Sequence, residues 1–156
     1  MTVAAITNAV LVGDDIRRAA GVYPTQCWWN ALRVGALIRR RRRAAVVRYV
    51  EGFAIMPKCG IPFEHGWLSV DGATVEPTLD AVCPSYFPAR EYEIPEAKQL
   101  ERAHRKRGMP LTGWPVMLDR AAWQEANIAV HAAAFGQSTD TIRAFFGGVM
   151  SGGGPQ

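Results

Sequence analysis

Apolar side chains recur at Cys27, Ala31, Val34 and Ile38, positions i, i+4, i+7 and i+11. That period predicts a helix over residues 26–40 whose buried stripe begins at the cysteine. Thr25 stands where an N-cap belongs. Past an arginine run the period changes to two: Val47, Tyr49, Glu51, Phe53 and Ile55 fall on one side of a strand within residues 44–56. Residues 57–62 make a turn, residues 64–70 a second strand, Asp71-Gly72 a hairpin turn, and residues 73–76 the returning arm.

The flanks are less periodic. Residues 3–12 are apolar and fit either a short helix or a strand. Asp14 or Asp15 can cap a short helix through Ala20, closed by Gly21. Residues 83–88, with Pro84 and Pro88, are loop-like, and Pro95 starts a polar helix to Arg107 with Gly108 as terminator. Pro110, Gly113 and Pro115 mark a connector packed by Trp114. Asp119 caps a helix over 120–135 with Trp123, Ile128 and Ala132 on its inner face, ended by Gly136. A short helix over 139–146 and a disordered tail over 149–156 complete the expectation of one domain spanning residues 1–148. The predicted class is α+β, a cysteine-bearing helix packed on a small antiparallel sheet, with additional C-terminal helices.

The hairpin turn fixes a register. With Asp71 and Gly72 as the two loop residues, Trp67 faces Glu76 and His65 faces Thr78, so His65 and Glu76 are diagonal neighbours on one face, about 7 Å apart at the backbone. A slip of one residue would separate them. Pro77, with no N–H to donate, marks a sheet edge or the strand's end.

Composition narrows the classes. A chain of 156 residues, 49% hydrophobic and 21% charged, buries roughly two thirds of its unfolded surface without needing metal or disulfides. The net charge of +4 comes from 18 Lys and Arg against 14 Asp and Glu, and five of the 18 are the unbroken run Arg39 to Arg43; without them 13 cations face 14 acids. The basicity is therefore local, with a second cluster at Arg102, Arg105, Lys106 and Arg107. Such a run is a solvated face or a contact for an acidic or phosphate-bearing partner. Cys27, Cys59 and Cys83 are an odd number at wide spacing, which fits free thiols in a reducing compartment, and with His65 they form no zinc-knuckle pattern. No cofactor or metal is expected. Residues 1–13 lack a basic leader, and no apolar run is long enough to cross a membrane, so a cytoplasmic protein is expected.

Cys27, His65 and Glu76 supply a thiol, an imidazole and a carboxylate. A thiol attacks as thiolate, an adjacent imidazole serves as base, and a carboxylate fixes the imidazole's tautomer. A cysteine in a helix's first turn lies in the positive end of the helix dipole. The Cys27 N–H, with Gln26, is placed to act as an oxyanion hole.

The order Gln26-Cys27 heading a helix, His65-Gly66-Trp67 on a strand and Glu76-Pro77-Thr78 on the next resembles the core of transglutaminase-like and papain-like cysteine enzymes over about residues 23–80. Glu76 stands where Asp is usual in the transglutaminase-like group. The resemblance implies acyl transfer on a protein, peptide or amide substrate through a thioester, whether as proteolysis, amide hydrolysis, deamidation or transamidation. Two other readings remain open: a catalytically silent binding protein on the same fold, and a binder of nucleic acid or an acidic partner through Arg39 to Arg43.

Overall fold

The computed structural model describes residues 3–106 and 119–151. In chain order the elements are β1 (Val10–Leu11), α1 (Asp14–Ala20), α2 (Cys27–Arg41), β2 (Val47–Ile55), β3 (Pro62–Val70), β4 (Ala73–Glu76), β5 (Tyr86–Glu93), α3 (Ile94–Lys106), α4 (Arg120–Phe135) and α5 (Thr139–Ser151). The class is α+β, with five helices and one open five-stranded sheet among the described residues, in the order β1-β4-β3-β2-β5. The expected antiparallel sheet is mixed: β1 runs parallel to β4, and the remaining pairs are antiparallel.

The predicted stripe of α2 is the face that packs. Cys27, Ala31, Val34 and Ile38 are all buried, and Ala31, Val34 and Ile38 cluster with Val47, Tyr49, Leu68 and Val70 of the sheet. Farther along the same side of β2, Phe53 packs with Phe87 and with Ala126, Ala129 and Val130 of α4, so α2 and α4 lie side by side on one face. Val50, Ala54, Trp67, Cys83 and Tyr86 form a separate cluster. A β-branched and aromatic strand with apolar residues at both parities is thus buried on both sides.

The Asp71-Gly72 turn forms as predicted, with φ of 51° and 82°, the two left-handed residues that a type I′ hairpin turn requires. Asp71 also ties the turn down: Oδ1 accepts from the Val46 N–H at 2.8 Å and Oδ2 from Arg42 at 2.8 Å. The ladder pairs Leu68 with Val75 and Ser69 with Thr74, which is the predicted register.

Several expectations are corrected. Residues 86–93 form a strand, β5, although Pro88 reads as a breaker; Pro88 faces Gly52 where the β2–β5 register shifts, a bulge that tolerates a missing N–H. Pro77 follows the end of β4 but does not mark an edge, because β1 covers that side and the Val12 N–H donates to the Glu76 carbonyl at 3.0 Å. The N-cap of α2 is Gln26, without a side-chain cap, since Thr25 has φ 69°, a conformation that strains a β-branched residue. Gly13, not Asp14 or Asp15, occupies the N-cap of α1, and the two carboxylates sit in its first turn. Asp119 does cap α4, accepting from the Ala122 N–H at 3.0 Å. Helix α5 continues past residue 146 to Ser151. Gly108 and the connector with Trp114 lie outside the described residues.

Glycines set the closest approach of α2 to the sheet. A Cβ added at Gly66 would lie 2.9 Å from Trp28 Cα and 3.2 Å from its backbone nitrogen. Gly66→Ala should therefore push the start of α2 off the sheet and destabilise by about 1–3 kcal/mol, a fall of roughly 2–12 °C in melting temperature for a chain of this size. An unchanged melting temperature would mean that the helix slides at no cost.

Candidate active site

The hairpin register delivers the predicted pair. The ladder is paired as far as Leu68 and Val75, and just beyond it the His65 Nε2 meets Glu76 Oε2 at 2.6 Å. Both residues are fully buried. A carboxylate with no water must be satisfied by the protein, and Glu76 is. Its Oε1 accepts from the backbone N–H groups of Thr78 at 2.8 Å and Leu79 at 3.0 Å, because the chain turns around it at Pro77. Its Oε2 also accepts from the Tyr86 hydroxyl at 3.0 Å.

These contacts determine the charge state. Burial pushes the Glu76 carboxyl up, but the hydrogen bond and charge of His65, with the Leu79 and Thr78 N–H groups, hold it below its ordinary range. Burial pulls the His65 imidazole down, yet hydrogen bonding with Cys27 and with Glu76, and their charge, outweigh it and raise its pKa from 6.5 to about 9. At neutral pH the pair is an imidazolium on a carboxylate.

Nε2 is committed to Glu76, which leaves Nδ1 for the thiol. Nδ1 is buried and makes no hydrogen bond of ordinary length and angle, while the Cys27 thiol is near enough to be a principal cause of the raised pKa. Cys27 is the first residue of α2, 8% exposed, and packs against Trp28, Ala89 and Trp123. Gln26, the fourth predicted residue, is exposed at the N-cap, where its carbonyl accepts from the Asn30 N–H at 2.8 Å. No side chain caps the helix, so no capping oxygen competes for the first-turn N–H groups.

Three contributors escape a sequence reading. Asn30 is fully buried and clamps α2 to the site: Oδ1 accepts from the Tyr23 N–H at 3.0 Å, and Nδ2 donates to the Tyr23 carbonyl at 2.6 Å and to Thr78 Oγ1 at 3.1 Å. Its signal is a polar residue at the helix's apolar face, one turn past the cysteine. Tyr86 holds Glu76; burial, then the charge of Glu76, pushes its phenol far above the ordinary value, so it stays a donor. Glu51, buried in an otherwise apolar stretch of β2, accepts from the Tyr49 hydroxyl at 2.8 Å, and burial, then the charge of Glu51, pushes that phenol well above its ordinary value.

All three cysteines are free. Cys83 is not a rival nucleophile, because burial first of all pushes its thiol up to about 12. Among the described residues no group of His, Cys, Asp and Glu is arranged to hold a metal ion, and no helix is long and apolar enough to cross a membrane. No family model, curated protein or solved structure matches the chain.

Proposed function

We propose that the protein is a cysteine-dependent acyl-transfer enzyme acting on an amide or peptide bond, built on a transglutaminase-like core. The observation that carries this reading is the buried His65–Glu76 pair, held at 2.6 Å with the Cys27 thiol acting on the same ring. Such a pair costs desolvation free energy that a purely structural core has no need to spend, and perturbed titratable groups beside a thiol mark functional sites.

In the proposed reaction the Cys27 thiolate attacks the substrate carbonyl, and the oxyanion is held by the Cys27 N–H and Gln26 at the start of α2. The His65 Nδ1 proton passes to the leaving nitrogen, the C–N bond breaks, and a thioester remains on Cys27. Water or an amine, deprotonated by the now neutral His65, then attacks the thioester and releases the acyl group as acid or new amide. Glu76 keeps Nε2–H in place throughout. The free thiols fit a reducing, cytoplasmic setting.

A nitrophenyl ester of a short acyl chain tests the first half-reaction. Intact-mass analysis should find one acyl group on Cys27 with a stoichiometric burst of nitrophenol, hydroxylamine should remove it, and Cys27→Ser should show neither. Acylation confined to Cys59, or a burst unchanged in Cys27→Ser, would sink the assignment. The competing reading, a silent binding protein, rests on the small exposure of Cys27 and predicts that no adduct forms at all.

A further inference from the structure

The two basic clusters, some sixty residues apart in sequence, meet in space. Helices α2 and α3 flank a surface groove of about 550 Å3, and a second hollow of about 310 Å3 shares Ala36, Lys98 and Arg102 with it. The floor is apolar, from Ala20, Leu32, Ala36 and Leu37. The rims are cationic: Arg33 and Arg40, seven residues apart, on α2, and Lys98, Arg102 and Arg105 at i, i+4 and i+7 on α3. Each row extends about 10 Å along its helix.

Pairing sorts the arginine run. Arg41 meets Asp15 at 3.6 Å and Arg42 meets Asp71 at 2.8 Å, whereas Arg39 and Arg40 line the hollows. Glu101, the one carboxylate lining the groove among the described residues, is taken by Arg105, whose guanidinium also lies 4.7 Å from the centre of the Trp29 ring. Among the described residues Arg33, Arg39, Arg40, Lys98 and Arg102 have no carboxylate at ion-pair distance. Four of these unpaired cations surround the apolar floor, with Arg39 in the adjoining hollow; they repel one another, and a complementary anion relieves that.

We propose that this groove docks an acidic segment of a partner protein, which sets apolar side chains on the Leu32–Ala36 floor and carboxylates against both rims. The observations favour a peptide over nucleic acid: the aromatic ring lining the groove has a face covered by Arg105, which removes a stacking platform, and the Leu and Ala floor accepts aliphatic side chains. Trp29 is turned about 200° around α2 from Cys27, so the proposal does not rest on the acyl-transfer reading.

The test is fluorescence anisotropy on the full chain with three labelled probes of equal charge: a short peptide of Glu and Leu, the same peptide with Ser for Leu, and a single-stranded oligonucleotide. The Glu/Leu peptide should bind about tenfold or more tighter than either other probe and weaken with salt. Arg33→Glu with Arg102→Glu, both exposed, should lower that affinity at least about tenfold, and Arg43→Glu, outside the groove, should leave it within about twofold. Tighter binding of the oligonucleotide, equal binding of the Ser peptide, or no loss in the double variant overturns the proposal.

Discussion

His65→Ala should slow alkylation of Cys27 by iodoacetamide at pH 7 by about 10²-fold or more, the range a positioned acid–base group supplies. The reason is the ring itself: burial lowers the imidazole pKa, but Cys27 and Glu76 outweigh it and leave it raised to about 9, so His65→Ala removes the group that holds a proton beside the thiol. Exposed Cys59 serves as the reference thiol in the same sample. Turnover and alkylation should then separate in alkali. Acyl transfer needs the His65 proton for the leaving nitrogen, so kcat/KM should fall as pH rises through about 9, whereas alkylation consumes only thiolate and should persist. If Cys27 in the wild type reacts no faster than Cys59, or at the same rate in His65→Ala, the thiol is a core residue and nothing more.

What could be read from the sequence follows from how local each cause is. The hairpin was legible because two successive left-handed residues are a demand that Asp-Gly meets and few other pairs do; the register, and with it the meeting of His65 and Glu76, follows by counting. The phase of α2 was legible for the same reason, since Cys27, Ala31, Val34 and Ile38 bury one stripe. Strand β5 was not, because Pro88 is a local breaker whose exemption lies in Gly52, on another strand, where an added Cβ would strike the Phe87 carbonyl oxygen. Losing β5 meant losing Tyr86 as well, although it donates to Glu76. The parallel β1 is two residues long, too short to carry a period. Asn30 and Thr78, 48 positions apart, illustrate the general limit: a pattern shows that a polar residue sits on a buried face, and only the fold shows which residue satisfies it.

Removing the Glu76 carboxylate should be the most destabilising single change at the site. Glu76→Ala leaves the His65 ring buried, without its counter-charge, and strips the Thr78 and Leu79 N–H groups and the Tyr86 hydroxyl of their acceptor. Breaking one side of a buried pair costs about 3–5 kcal/mol, a fall of roughly 6–20 °C in melting temperature for a chain of this size. The pair also gives stability a pH signature. His65 has its pKa raised above the ordinary 6.5, so its contribution is complete below about 6.5 and is lost as pH rises through about 9. Glu76 is depressed below its ordinary 4.5, so its contribution is complete above 4.5 and is lost as pH falls through the native value. Wild-type melting temperature should therefore peak between about pH 5 and about 6.5 and decline towards 9. In Cys27→Ala with Glu76→Ala, burial alone acts on the ring and pulls its pKa down, so over the neutral range stability should rise with pH instead of falling. The His65→Leu, Glu76→Leu double variant should recover part of the loss seen in Glu76→Ala, since no isolated charge remains buried. A wild-type melting temperature flat from pH 6 to 9, or a double variant that loses the full sum of its two single changes, would show that the two groups do not act as a pair.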